Sequence, residues 1–175
     1  FGLDSHRQCW VSPLGPTCPP PAGHGMPIIT DRDSYLEVKK HLYPKEPFDP
    51  KVIEQWAKRQ ESGDSVIWIT VEGFFWVPRT LFGIEPHLYA FYDQPDLMHE
   101  INEDVLAYNL RVIESFCQIC VPDFMTFAED ISYNHGPMLS KAQFDEFVAP
   151  YYRRIVPDLI RREIVTIVDT DGNVT

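Results

Sequence analysis

Two short apolar runs in this chain end abruptly in carboxylates. One is Phe124-Met-Thr-Phe-Ala-Glu129-Asp130, the other Ile164-Val-Thr-Ile-Val-Asp169-Thr-Asp171-Gly172-Asn173. Acids where a buried strand emerges are suited to proton transfer, because desolvation raises a carboxyl toward neutral pH. An oxygen-rich site of this kind can also take a hard or borderline cation weakly. Glu129 and Asp130 are adjacent, so on a strand they point to opposite sides, and at least one should face a site. Asp169 and Asp171 alternate and share a side. Asp169 follows a run expected to be buried and reads as a ligand or proton-transfer group. Asp171-Gly172 reads equally well as turn chemistry. Glu129, Asp130 and Asp169 are the candidate catalytic residues.

Further candidates surround these. Glu72-Gly73 ends another apolar run, Ser65-Val-Ile-Trp-Ile-Thr-Val, and adds a third acid. Arg79 is the one basic residue that can be placed on the loops after these strands. Tyr133, Asn134 and His135 follow Glu129-Asp130 and read either as pocket groups or as a tight turn ending in Gly136-Pro137. With Asp171 and Asn173, these residues make up the candidate substrate-binding set. Phe74, Phe75 and Trp76 read first as packing. Cys117-x-x-Cys120 falls at the expected end of a helix, where the dipole disfavours a thiolate, and reads as packing rather than redox chemistry.

Acids at strand ends need a parallel sheet to bring them together. The three apolar runs at 65–72, 123–129 and 164–169 are rich in β-branched residues and lack hairpin signals between them. Helical patterns separate them. Leu97, Ile101, Val105, Leu106, Tyr108, Val112, Ile113 and Phe116 recur at helical spacing in a segment from about Asp93 to Cys120. A short helix is expected over 80–92, with Gly73–Arg79 as a loop. Another helix is expected over 141–162, kinked or broken by Pro150 and Pro157. Strand–helix alternation of this kind specifies parallel βαβ units, and ligands bind such folds at the C-terminal edge of the strands.

Ahead of this region, residues 9–29 are dense in Pro and Gly and read as an extended arm. Two helices follow, one from Asp31 to Leu42 and one opening at Asp49-Pro50, each with an N-cap signal. The expected organisation is an N-terminal arm with helices over 1–64 and a part of a (β/α)8 barrel over 65–175. A whole barrel takes about 200–250 residues, so the chain is expected to be a piece of a longer protein. The junction Arg161-Arg162-Glu163-Ile164 lacks the Gly or Asn that usually ends a helix, which reads as a place where residues have been removed.

The net charge of −11 argues against a nucleic-acid surface or an anionic membrane as partner. No apolar run reaches spanning length. Four cysteines, Cys9, Cys18, Cys117 and Cys120, are too few and too dispersed for a disulfide framework. A cytoplasmic location is expected.

From Gly73 onward the chain resembles the uroporphyrinogen decarboxylase superfamily. The resembling pieces are Gly73-Phe-Phe-Trp-Val-Pro78-Arg79-Thr-Leu, Tyr92-Asp-Gln-Pro95-Asp96-Leu, Glu129-Asp130-Ile-Ser-Tyr133-Asn134-His-Gly136-Pro137-Met-Leu-Ser140, Phe147-Val-Ala-Pro150-Tyr-Tyr-Arg153-Arg154 and Asp169-Thr-Asp171-Gly172-Asn173. The resemblance implies a (β/α)8 barrel and an enzyme of the decarboxylase-like group. Methyl transfer with a corrinoid partner protein is the first reading and carboxy-lyase chemistry the second. A barrel that binds a ligand without turnover is the third. The thiol-activating members carry His-x-Cys where this chain has Asp169-Thr-Asp171, so no Cys/His zinc site is expected. The Arg-rich motif that holds a many-carboxylate tetrapyrrole is not found either.

Overall fold

The computed structural model describes residues 5–172. The first strand is β1 (His6–Val11), followed by helices α1 (Arg32–Lys39) and α2 (Pro50–Glu61) and strand β2 (Val66–Glu72). Helices α3 (Trp76–Phe82), α4 (Ile84–Asp93) and α5 (Pro95–Cys117) precede strand β3 (Phe124–Ala128). A small hairpin, β4 (Ser132–Tyr133) and β5 (Gly136–Pro137), leads to helices α6 (Lys141–Phe147) and α7 (Ala149–Arg161) and then to strand β6 (Val165–Asp169).

The main sheet runs β1-β2-β3-β6, and every neighbouring pair is parallel. The three expected strands share this sheet with their C-terminal ends on one edge, and the protein is of the α/β class. Alternation sets the two faces. Cys9 and Val11, Ile67, Ile69 and Val71, and Met125 and Phe127 are buried in the core with the helices. Burying side chains of this size stabilises by about 1.5–3 kcal/mol each. On the other face Trp68 stacks between His6 and Phe124, and Gln8, Thr70 and Thr126 form a hydrogen-bonded row. At the C-terminal end of that face stand Trp10, Glu72, Ala128 and Asp169.

Several sequence expectations need correction. Residues 9–11 belong to β1, an ordered strand pairing from His6↔Val66 to Val11↔Val71, so the Pro-rich arm starts only after it. Trp76–Arg79 is helical, and Gly83, at φ 83°, splits the expected 80–92 helix into α3 and α4. The 141–162 segment is likewise two helices. Ser140 caps α6 through a capping box with Gln143, and the expected break falls at Val148, with Pro150 in the first turn of α7. Pro157 lies inside α7 without ending it.

The last strand is not buried. Val165 is 62% exposed and Ile167 46%, because β6 has one neighbour among the described residues. The junction before it is a tight helix end. Glu163 takes φ 59°, its N–H donates to Ile160 O at 3.0 Å, and Ile164 N–H donates to Leu159 O at 3.0 Å. This is a Schellman ending with Glu in the position usually held by Gly.

Candidate functional site

Glu129 is the most enclosed acid of the mouth, 1% exposed. It follows β3 directly, and its carboxylate accepts from the amides of Phe74 (2.8 Å), Phe75 (2.8 Å) and Trp76 (3.1 Å). Tyr152 of α7 adds its hydroxyl at 2.5 Å. Four donors around one carboxylate fit the ionised form. Burial pushes the carboxyl upward from its ordinary value, opposed by the Tyr152 hydroxyl and these amides. The same contact explains Gly73: a Cβ there would fall inside the Glu129 carboxyl. Phe75, at the N-cap of α3, makes no side-chain cap, so Glu129 replaces a local cap from across the sheet. Its lone pairs hold the start of α3 and the Tyr152 hydroxyl of α7.

The neighbouring Asp130 engages a different partner. It sits at φ 47°, a conformation Asp tolerates better than most residues. Its Oδ2 accepts from Arg79 Nη1 at 2.8 Å, and its N–H donates to Asp169 O at 3.0 Å. Arg79 lies on α3, with its guanidinium carbon 5.2 Å from the Trp76 ring centroid. Glu129 therefore fixes α3, α3 carries Arg79, and Arg79 meets Asp130. Both members of the Glu129-Asp130 pair bear on α3, one through the amides at its start and the other through Arg79.

Asp169 and Asp171 are both exposed. Asp169 was expected after a buried run and is instead at the open end of an edge strand. Ser132 ties this strand end down. Its hydroxyl pairs with Thr170 Oγ1 at 2.5 Å and accepts from Gly172 N–H at 2.8 Å. Asn173 lies outside the described residues.

Two adjoining recesses open here. One, of about 190 Å³, is lined by Trp10, Trp76, Ala128, Asp130, Asp169 and Asp171, with Glu129 behind. The other, of about 290 Å³, is lined by Arg79, Asp130, Tyr133, Asn134, His135 and Asp171, among others. Tyr133, Asn134 and His135 are exposed on the β4–β5 hairpin, so they form a rim, and Tyr133 packs against His135 with ring centroids 5.7 Å apart. The structure thus brings together Arg79, Asp130, Asp169, Asp171 and this rim, and withdraws Glu129 into the scaffold.

Glu72 is buried beside the same mouth, 7% exposed, at the end of β2. Its Oε1 accepts weakly from Trp10 Nε1 at 3.4 Å, while Oε2 has no hydrogen-bond partner among the described residues. Burial raises this carboxyl above its ordinary value, against the pull of Ser12 and Trp10.

Sequence reasoning missed Trp10, Trp76 and Tyr152. Trp10 lay in a segment read as an arm, Trp76 read as packing, and nothing local marks Tyr152 as a partner of Glu129. Among the described residues, no group of three or more His, Cys, Asp or Glu side chains is arranged to hold a metal. The four cysteines are free. Cys120 is buried, donates to Gln60 Oε1 at 3.1 Å, and is pushed up to about 11 by burial. No helix among the described residues is long and apolar enough to cross a membrane. No protein-family model, curated protein or solved structure matches the chain.

Proposed function

We propose that this chain is the substrate-binding part of a uroporphyrinogen decarboxylase-like enzyme, with its sheet one sector of a (β/α)8 barrel. The observation that carries the reading is the meeting of the Arg79–Asp130 pair with Asp169 and Asp171 at the C-terminal ends of parallel strands. That edge is where barrel enzymes hold their substrates. The first reading is methyl transfer with a corrinoid partner protein in the cytoplasm, and four free thiols suit a reducing compartment. Recesses of about 190 and 290 Å³ suit a small substrate and leave a corrinoid on its own protein. The corrinoid supplies the methyl acceptor. This chain binds and orients the methyl donor, with Arg79 and the mouth acids as its polar contacts.

Carboxy-lyase chemistry is the second reading, favoured by one observation. Arg79 and His135 line the same recess, and a guanidinium is the usual partner of a substrate carboxylate. A ligand-binding barrel without turnover is the remaining alternative.

The test mixes the full-length protein with a methyl-accepting corrinoid protein and a panel of methoxylated and methylated-amine substrates. Methylation of the corrinoid, read by its absorbance, is the expected result. Carbon dioxide release without methylation supports the second reading and rejects the first. Saturable ligand binding with neither product means the barrel is non-catalytic.

A further inference from the structure

The smaller recess carries a chemical preference of its own. Its side chains are two indoles, Trp10 and Trp76, an alanine floor at Ala128, and four carboxylates, with no basic residue among them. Two of the carboxylates are already engaged. Glu129 is taken up by three amides and Tyr152, and Asp130 by Arg79. Asp169 and Asp171 remain, and neither side chain has a hydrogen-bond or ion-pair partner described. Behind the Trp10 wall lies a further acid, Glu72. It is buried, set against the Trp10 indole, and has Oε2 unpaired among the described residues.

An anion entering this recess would meet Asp169 and Asp171, whose charges no described partner offsets, while Glu129 and Asp130 are already compensated by their own donors. A bare divalent cation would find no ligand set, since no group of three metal-ligating side chains is present among the described residues. Indole faces with nearby carboxylates instead match an alkylated ammonium, whose charge is spread over an apolar surface. The structure already contains one such contact, since the Arg79 guanidinium lies 5.2 Å from the Trp76 ring centroid. Trp10 is 53% exposed and available to a ligand.

We infer that the recess between Trp10 and Trp76, walled by Asp169 and Asp171, binds the alkylated-nitrogen cation of a small organic molecule. The inference rests on the reading of this mouth as a substrate site and names the class of substrate. It places the cationic head against the indoles, with the rest of the molecule reaching toward the Arg79 recess, which shares Asp130 and Asp171 with it.

The test is equilibrium binding of tetramethylammonium to the full-length protein, followed by tryptophan fluorescence and calorimetry. A neutral isostere of the same shape (neopentane-like, such as tert-butanol) and acetate serve as controls. The cation should saturate, and the neutral isostere should bind at least about fivefold more weakly. Trp10→Leu should weaken the cation on the order of tenfold. The double change Asp169→Asn with Asp171→Asn should abolish the preference for the cation over the isostere. These positions are exposed, so circular dichroism and Tm should not move. Equal binding of cation and isostere, tighter binding of acetate, or saturation unaffected by Trp10→Leu would each overturn the inference. No turnover is needed, so the outcome is separable from that of the methyl-transfer assay. Turnover without cation binding rejects the substrate class alone, and cation binding without turnover rejects the reaction alone.

Discussion

Tyr152 donates to Glu129 Oε1 at 2.5 Å, which joins α7 to a carboxylate that also receives three amides from the start of α3. One buried acid thereby fastens two helices to the end of β3. A hydrogen bond to a charged group contributes about 1.5–3 kcal/mol, and a stranded buried partner costs more. Tyr152→Phe should lower unfolding stability by about 1–3 kcal/mol. Glu129→Gln turns an amide donor toward backbone donors and should cost more, about 3–5 kcal/mol, as for breaking a buried charged cluster. Urea unfolding of both variants checks the order. Equal stability of Glu129→Gln and the native chain would remove Glu129 from this role.

Glu72 should make stability depend on pH. Its carboxyl is raised in the folded chain by burial, so the folded state holds the proton more tightly than the unfolded state. Stability from this group is then present below the ordinary value of 4.5 and is lost as pH rises through the raised folded value. Glu72→Gln removes the titration. The variant should match the native chain in acid and exceed it near neutrality, by about 1 kcal/mol or more. A difference that stays flat from pH 4 to pH 8, measured by urea unfolding at about unit pH steps, contradicts this.

His87 is fully buried, with both ring nitrogens unpartnered among the described residues, between Phe75 and Phe91. Burial, with Arg79 nearby, lowers it to about 3. It is neutral at physiological pH and serves as an aromatic filler. His87→Phe should be neutral or stabilising, up to about 2 kcal/mol, since two unsatisfied polar atoms disappear. Thermal unfolding that shows a loss beyond about 2 kcal/mol would point to an unrecognised partner for the ring.

Glu163 ends α7 in a left-handed conformation that costs a non-glycine residue about 1–2 kcal/mol. Glu163→Gly should therefore stabilise by roughly 0.5–1 kcal/mol, read as a higher Tm.

How far the sequence speaks depends on where each determinant sits. Asp31 with Ser34, and Asp49 with Pro50, are local signals, and both helices start where those residues say. Strand β2 is legible because Ile67, Ile69 and Val71 all face the core. Strand β1 offers the core only Cys9 and Val11 before Pro13, too little for a pattern. The start of α3 is illegible for a different reason, since its cap is Glu129, 54 residues from Phe75. Sequence marked Glu129 as important but could not show its contact with the start of α3. A run ending in an acid predicts a strand end and says nothing of the amides that will meet it. The exposure of Asp169 was equally hidden, because burial of a strand depends on its neighbours and not on its own β-branched residues.

Arg79 and Asp130 are 18% and 28% exposed as side chains, so the pair contributes little stability, at most about 1 kcal/mol. Its value is positional. Asp130→Asn should leave Tm within a few degrees while freeing the guanidinium, and should strengthen binding of acetate or a larger carboxylate probe at the Arg79 recess. Unchanged carboxylate affinity would mean that Arg79 does not face that recess.

Turnover at the mouth bounded by Asp169 and Arg79 is the proposal on which the methyl-transfer reading stands. Its most direct test is corrinoid methylation by the full-length protein and by Asp169→Asn. Asp169 is exposed and its side chain bears no described structural contact, so the variant should fold with an unchanged Tm. The native protein should methylate the corrinoid, and kcat/KM should fall by about 10- to 100-fold in Asp169→Asn. Full activity in Asp169→Asn would contradict the proposal.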